Sequence, residues 1–324
     1  MKLNMAKTGS STVGRHHKKF TVPKVYIPFD TPGYRPAWEG VEPIDCNLVL
    51  EGGAMRGQFT AGVLDFLMDN ALLPRLAIGV SAGALNGLNY VAGLRGRSCY
   101  LNTKYCTDWR YLSMRSFTLT GNAFNVEYVF DRIPNELDPF DFEAYARSPL
   151  TLITVSSNLV AGEADYTMLR DARTQLDYLR ASSSMPLLSK IVKVDGKELL
   201  DGGVCDSVPI DYSKATGSPK HIVVLTQHAE YEKKANEFMP LVRRLYAKYP
   251  LFIERMERRH LDYNKVYRRV ARMHEEGEIF VIRPPERVTL ASMEHDPEKL
   301  YRLWETGYAE AQKNFAALWR YLES

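Results

Sequence analysis

No apolar run in this chain of 324 residues approaches the roughly 20 that a helix needs to cross a bilayer, so a membrane-spanning helix is not expected. Cysteine is scarce. Cys46, Cys99, Cys106 and Cys205 show neither Cys-x-x-Cys spacing nor the density of a disulfide scaffold, and reduced thiols in a cytoplasm are the expectation. Histidine offers no cluster with ligand spacing: His16 and His17 stand in a basic tail and the other five are scattered singly. Neither a metal nor a cofactor is expected. Acid is missing from the N-terminus, where Lys2, Lys7, Arg15, Lys18, Lys19 and Lys24 all precede the first carboxylate, Asp30. No apolar h-region follows those basic residues, which argues against a secretory signal peptide. Internal repeats and low-complexity tracts are absent as well, and no nucleic-acid partner is expected. What is present is ordinary globular composition, 45% hydrophobic and 25% charged. It reads as a cytoplasmic protein, free or peripheral at the inner face of the membrane.

The chain changes character twice. Residues 1–42 are polar, basic and punctuated by Pro23, Pro28, Pro32 and Pro36, an arm lying over the body. Residues 43–230 form the body. A short strand at 47–50 meets a glycine-rich turn at 51–57 and then a helix over 58–70, in which Phe59, Val63, Phe66 and Leu67 recur at helical spacing. A second strand runs into Ser81. Residues 98–146 mix aromatics with turn residues and read as short helices and loops over the site, which either line an acyl pocket or form a peripheral core. A strand at 151–155 continues raggedly to 166–167, and a helix from 176 ends before Pro186. A hairpin at 191–200 is turned by Asp195-Gly196, and 221–226 reads as the last strand of the main sheet.

Residues 231–324 are a mainly helical extension with one more strand at 279–284 and a terminal helix at 297–321. Phe252, Met256, Tyr263, Val266, Val270 and Met273 mark one helical face. Between Leu241 and His274 ten Lys and Arg stand against three acids, Glu254, Glu257 and Asp262. A basic face beside an apolar stripe is either a peripheral contact with an anionic membrane or a solvated helix face.

Three short patterns carry chemistry. The apolar run 77–80 ends in Gly79-Val80-Ser81-Ala82-Gly83, which reads as strand, sharp turn and helix. A serine at such a turn has a strained backbone, so positions two before and two after it favour glycine. Ser81 then stands at a helix N-terminus, whose unsatisfied N–H groups favour a developing oxyanion. Upstream, Glu51-Gly52-Gly53-Ala54-Met55-Arg56-Gly57 presents several N–H groups toward one point. It lacks the second glycine of a dinucleotide fingerprint, where Ala54 stands, and the Gly-Lys-Ser or Gly-Lys-Thr of a phosphate loop, which leaves an oxyanion hole serving Ser81. Downstream, the hairpin delivers Asp201-Gly202-Gly203, by itself an ordinary turn.

In that order the three patterns resemble the patatin-like phospholipase family over roughly residues 45–230. The resemblance implies a three-layer α/β/α sandwich with a mostly parallel central sheet. It also implies a serine–aspartate dyad acting on acyl esters of lipids, without histidine. Carried over residue by residue, Ser81 is the nucleophile and Asp201 the base. The N–H groups around Gly52, Gly53 and Ala54 form the oxyanion hole, to which Arg56 and Gly57 of the same loop are also assigned. Family members usually have glycine where Ala54 stands and often Asp where Glu51 stands; if the third position needs φ > 0, alanine distorts the hole. Two rivals are an α/β-hydrolase triad using one of His221, His228, His260, His274 or His295, and a catalytically silent lipid-binding scaffold.

Overall fold

The computed structural model describes residues 20–324, so the basic stretch from Lys2 to Lys19 and the His16-His17 pair lie outside the described residues. Strand β1 (Ile44–Leu50) passes through a 3-10 turn, Ala54–Arg56, into α1 (Gly57–Asp69), and β2 (Pro74–Val80) passes into α2 (Ala82–Val91). Next come α3 (Arg97–Tyr105), α4 (Met114–Thr120), a π-helical stretch Tyr128–Leu137 and α5 (Phe142–Arg147). β3 (Thr151–Asn158) and β4 (Glu163–Leu169) form a hairpin, followed by α6 (Leu176–Ser182) and a second hairpin of β5 (Val192–Val194) and β6 (Lys197–Asp201). The chain ends with α7 (Ile210–Ala215), β7 (His221–Val224), α8 (Met239–Leu245), α9 (Pro250–Glu275), β8 (Phe280–Ile282) and α10 (Pro297–Glu323).

All the strands join one mixed sheet in the order β5-β6-β3-β2-β1-β7-β8, with β4 also on β3. Its centre, β3-β2-β1-β7-β8, is parallel, while β4, β5 and β6 are antiparallel. The parallel strands are buried on both faces, which is why they read as continuous apolar runs such as Leu48-Val49-Leu50 and Ile222-Val223-Val224. Leu48 and Leu50 face a core shared with α1, α2, α6 and α10, whereas Val49 faces Tyr263, Tyr267 and Val270 of α9. Helices therefore cover both faces, the three-layer sandwich with its mainly helical C-terminal region.

Two expectations change. The strand at 221–224 is not the last of the sheet, because β8 pairs parallel beyond it, Ile222 opposite Phe280. The ragged continuation of 151–155 is a regular hairpin, Leu152 opposite Leu169. Nor is the segment beyond residue 230 set apart from the sheet. It supplies β8, and α10 lies along α1 so closely that a side chain on Gly62 would meet the Trp304 carbonyl at 2.0 Å and one on Gly307 the Phe59 carbonyl at 2.0 Å. Pro134 stands inside the π-helical stretch and has no N–H to give to it. Its carbonyl instead accepts from Phe140, and Asp138 donates to Ile133.

Candidate active site

β2 ends at Val80 and α2 begins at Ala82, which leaves Ser81 alone in the turn at φ 54° and ψ −121°. A non-glycine residue is held there only by its surroundings. The Ser81 N–H donates to Ser182 Oγ at 2.9 Å, which donates on to the Val155 carbonyl at 2.7 Å. The Ser81 carbonyl accepts from the N–H groups of Ala84 and Leu85. Strand and helix pack so tightly that a Cβ on Gly79 would lie 2.6 Å from Ala84 Cα, and one on Gly83 2.3 Å from the Leu50 carbonyl.

Sheet register brings Asp201 to Ser81. β2 pairs with β3 as far as Val80 opposite Val155, and β6 takes over at the next residue, Asp201 opposite Ser156. Ser81 Oγ donates to Asp201 Oδ2 at 2.6 Å, and the Gly203 N–H donates to Oδ1 at 2.8 Å. The Asp201 backbone is held too, its N–H on the Ser184 carbonyl and its carbonyl on Ser157 Oγ. Gly202 packs against the Val155 carbonyl with no room for a side chain. Ser81 and Asp201 are 8% and 6% exposed. Burial pushes the Asp201 carboxyl above its ordinary value, against the opposing pull of the Ser81 hydrogen bond, Arg259, the Gly203 N–H and Lys233. A carboxylate raised in this way is a stronger base than one in water.

The glycine-rich turn crosses in front of this pair. A Cβ on Gly52 would stand 2.9 Å from Ser81 Cβ, and one on Gly53 2.7 Å from Thr226 Oγ1, so the loop approaches only because both lack one. Among the described residues no acceptor engages the N–H groups of Gly52, Gly53 or Ala54. Ala54 is at φ 49°, so the third position is left-handed and alanine occupies it at a cost of about 1–2 kcal/mol. Arg56 donates its N–H back to the Gly53 carbonyl at 3.0 Å and closes the turn, and its buried Nε finds no partner among the described residues. Gly57 opens α1 beside Ala82, with its carbonyl held by Asn86 Nδ2 at 2.8 Å. Glu51 fixes the loop from behind: it is 2% exposed and accepts hydrogen bonds from the Thr226 N–H, the Tyr263 hydroxyl and the Tyr267 hydroxyl.

From Ser81 and Ala54 an apolar cavity runs between α2, α6 and the 98–142 region, walled by Leu85, Leu88, Leu101, Phe124, Val129, Phe130, Phe140 and Met185. The aromatic stretch thus lines a cavity, and its Tyr105, Tyr111, Tyr128 and Ile133 also form a small core beneath it. The chemistry this arrangement allows is attack by a hydroxyl paired with a carboxylate on a carbonyl that faces free N–H groups, with an apolar chain alongside.

The histidines of the rival triad are engaged elsewhere. His221 pairs with Ser213 Oγ, His260 with the Glu257 carbonyl, His274 with the Ile279 carbonyl and His295 with the Cys106 carbonyl; His228 packs on Tyr231. None hydrogen-bonds Ser81 or Asp201. The described residues contain no group of three or more His, Cys, Asp or Glu that could hold a metal. The sequence reading missed Ser182, Thr226, Lys233 and Arg259, and took Tyr263 as part of an apolar stripe. The one signal for the tyrosines was their four-residue spacing, Tyr263 and Tyr267 on one face.

A model of the family described as patatin-like phospholipase matches residues 48–213, and one described as a domain of unknown function (DUF6363) matches residues 249–323. Uncharacterized protein YjjU of Escherichia coli is 27% identical over 199 residues, which cover 57% of this chain and 53% of that protein. Lysophospholipase NTE1 of Meyerozyma guilliermondii is 26% identical over 184 residues, 55% of this chain and 12% of the relative. The chain thus spans about half the length of the first relative and a small part of the second. Among solved structures, VipD from Legionella pneumophila aligns with 86% of this chain and 68% of its own at 11% identity, with a TM-score of 0.43.

Proposed function

The chain belongs to the patatin-like phospholipase family, and from that membership we propose that it is a serine acyl hydrolase of lipid esters working through Ser81 and Asp201. Family and lysophospholipase relatives support a lipid hydrolase. The observation that carries the finer reading is the 2.6 Å hydrogen bond from Ser81 Oγ to a buried Asp201 at the mouth of an apolar cavity. With the acyl chain in the cavity, Ser81 Oγ attacks the ester carbonyl and gives its proton to Asp201 Oδ2. The carbonyl oxygen becomes an oxyanion and meets the N–H groups of Gly53 and Ala54. Collapse expels the alcohol, which takes the proton from Asp201, and leaves an acyl-enzyme. Water then repeats the cycle and releases the fatty acid.

A fluorophosphonate probe tests this directly. The expected result is one adduct on the Ser81 peptide, absent from Ser81→Ala. A folded protein that takes no probe belongs to the silent lipid-binding reading instead.

We further propose that the enzyme meets anionic membrane peripherally through α8; no helix among the described residues is long and apolar enough to cross a membrane. Phe238, Leu241 and Leu245 share one face and are 64%, 43% and 59% exposed. Tyr246, next along, accepts the Leu187 N–H at 3.0 Å, on the loop that carries the cavity wall at Met185. The basic excess counted along 241–274 is weaker in three dimensions. Arg243, Lys248, Arg268, Arg269 and Arg272 pair with Glu257, Glu198, Glu232, Asp211 and Glu276, and Arg255 and Arg259 are spent on backbone carbonyls. The apolar stripe is therefore the main contact, assisted by Arg244. Co-sedimentation with anionic vesicles is expected to weaken in Leu241→Glu/Leu245→Glu; unchanged binding would return α8 to the reading of a solvated helix.

A further inference from the structure

One face of α9 reaches both loops of the active site. Arg259, Tyr263 and Tyr267 follow one another at four-residue spacing, so their side chains stand in a row along the helix. Arg259 Nε donates to the Gly203 carbonyl at 2.5 Å, two residues beyond Asp201. The Tyr263 hydroxyl donates to Glu51 Oε1 at 2.5 Å and the Tyr267 hydroxyl to Oε2 at 2.6 Å. Glu51 is the residue immediately before Gly52-Gly53-Ala54, and the Thr226 N–H holds its Oε2 a second time at 2.6 Å.

We propose that α9 is the positioning scaffold of the active site: Tyr263 and Tyr267 aim the oxyanion loop through Glu51, and Arg259 holds the dyad loop through Gly203. This rests on the acyl-hydrolase reading, and it gives a role to part of the segment that matches a domain of unknown function.

A carboxyl group almost without water contact is expensive unless donors surround it, so the Glu51 side chain cannot swing away from the two tyrosines and Thr226. Fixing that side chain fixes the backbone at residue 51, and the next three N–H groups inherit their direction from it. Burial and the Glu51 charge both push the Tyr263 and Tyr267 hydroxyls up, so both remain protonated donors. The rings already stack on each other with centroids 4.5 Å apart, and phenylalanines would cover the sheet equally well. Replacing a whole buried polar cluster by apolar residues often matches it in stability, whereas removing the hydroxyls alone leaves the Glu51 carboxylate short of donors and its direction unfixed. The loop also carries the left-handed Ala54, and a strained position persists only where neighbours over-determine it.

The test is Tyr263→Phe/Tyr267→Phe, which keeps the rings and removes the hydroxyls. Turnover of a p-nitrophenyl ester is measured per site titrated to completion with fluorophosphonate, and amide exchange is followed over residues 51–57. The expected result is a kcat per site lower by on the order of 10- to 100-fold with little change in KM, and faster exchange in the loop. A lower melting temperature with kcat per site and loop exchange both unchanged overturns the proposal, because it would leave α9 a packing role only. Should the double variant not fold, Tyr267→Phe alone, which leaves the Thr226 N–H on Oε2, is expected to show the same pattern at several-fold. Failure of the acyl-hydrolase reading is seen separately, in wild-type protein that takes no probe; the exchange measurement still decides whether the clamp holds the loop.

Discussion

On the α2 and α6 side of Ser81 the walls are leucine, phenylalanine and valine around open space. On the α9 side stand Glu51, Tyr263, Tyr267 and Arg259, each hydrogen-bonded to its neighbour or to a loop carbonyl. The same few backbone atoms are contacted from both directions. An apolar wall adapts to chains of different length, because dispersion and burial are not directional. A hydrogen-bonded wall does not adapt, because each lost bond leaves a buried group unsatisfied. Under the proposed function, substrate reception falls to one side and geometric support to the other, with the Ser81–Asp201 pair at their junction.

Removing the junction should have the largest effect. Ser81→Ala and Asp201→Asn are each expected to lower ester turnover on the order of 10⁴-fold, and the double variant no further, since nucleophile and base act as one unit. Steady-state kinetics with circular dichroism checks this; a folded Ser81→Ala protein with full turnover would undo the comparison at its centre.

On the reception side, Leu101→Trp should fill the cavity. The expected outcome is a kcat/KM for long-chain esters lower by roughly 10- to 100-fold, with short-chain esters affected less, because each excluded methylene is worth about 1 kcal/mol or more. A loss equal at every chain length would mean that the cavity does not hold the acyl group.

The support side should show itself in the pH profile. Burial raises the Asp201 carboxyl, while Ser81, Arg259, the Gly203 N–H and Lys233 draw it down. Asp201 must be ionised to take a proton, so activity falls as pH drops through its folded value, which lies above 3.8. Arg259→Met removes one downward influence and is expected to move that acid limb to higher pH, whereas Arg259→Lys, which keeps the charge, should move it less. The stability sign is opposite to the usual paired carboxylate. A raised folded value means that ionisation costs the native state, so this group's contribution is lost as pH rises from the unfolded to the folded value. Asp201→Asn should therefore melt no lower than wild type at neutral pH. A lower melting temperature would mean that the ionised dyad stabilises the fold.

The smallest effect is expected at Ala54. Ala54→Gly relieves a left-handed alanine, about 1–2 kcal/mol, and adds backbone entropy to the unfolded chain, about 0.4–1 kcal/mol. Net stabilisation of roughly 1 kcal/mol or less, read from denaturant midpoints, with turnover changed only a few-fold, would place the strain in the loop's backbone and not in its N–H groups.

Residues on or beside the dyad were legible because their chemistry is local. Gly79 and Gly83 about Ser81, the run Gly52-Gly53-Ala54 and the pair after Asp201 are backbone requirements, written in adjacent positions as missing side chains. The apolar strands were legible for a similar reason, since burial on both faces leaves continuous runs such as Ile222-Val223-Val224. β8 as the sheet edge was not, because nothing within three residues states which strand lies beside them.

Order along the chain is enough for the strand-turn-helix units, the serine elbow, the glycine-rich turn and the aspartate hairpin, because φ/ψ limits and hydrophobic periodicity act between near neighbours. The assembled sheet is what lets β6 take over from β2 along β3, so that Asp201 meets Ser81 across 120 positions. Packing in space likewise closes tyrosines from a helical stripe on Glu51 across 212 and 216 positions, and neutralises half of a basic segment with acids. Hydrogen bonds and ion pairs depend on distance in space to within an ångström or so, and a chain's order along itself carries no such distance until the sheet has set its register.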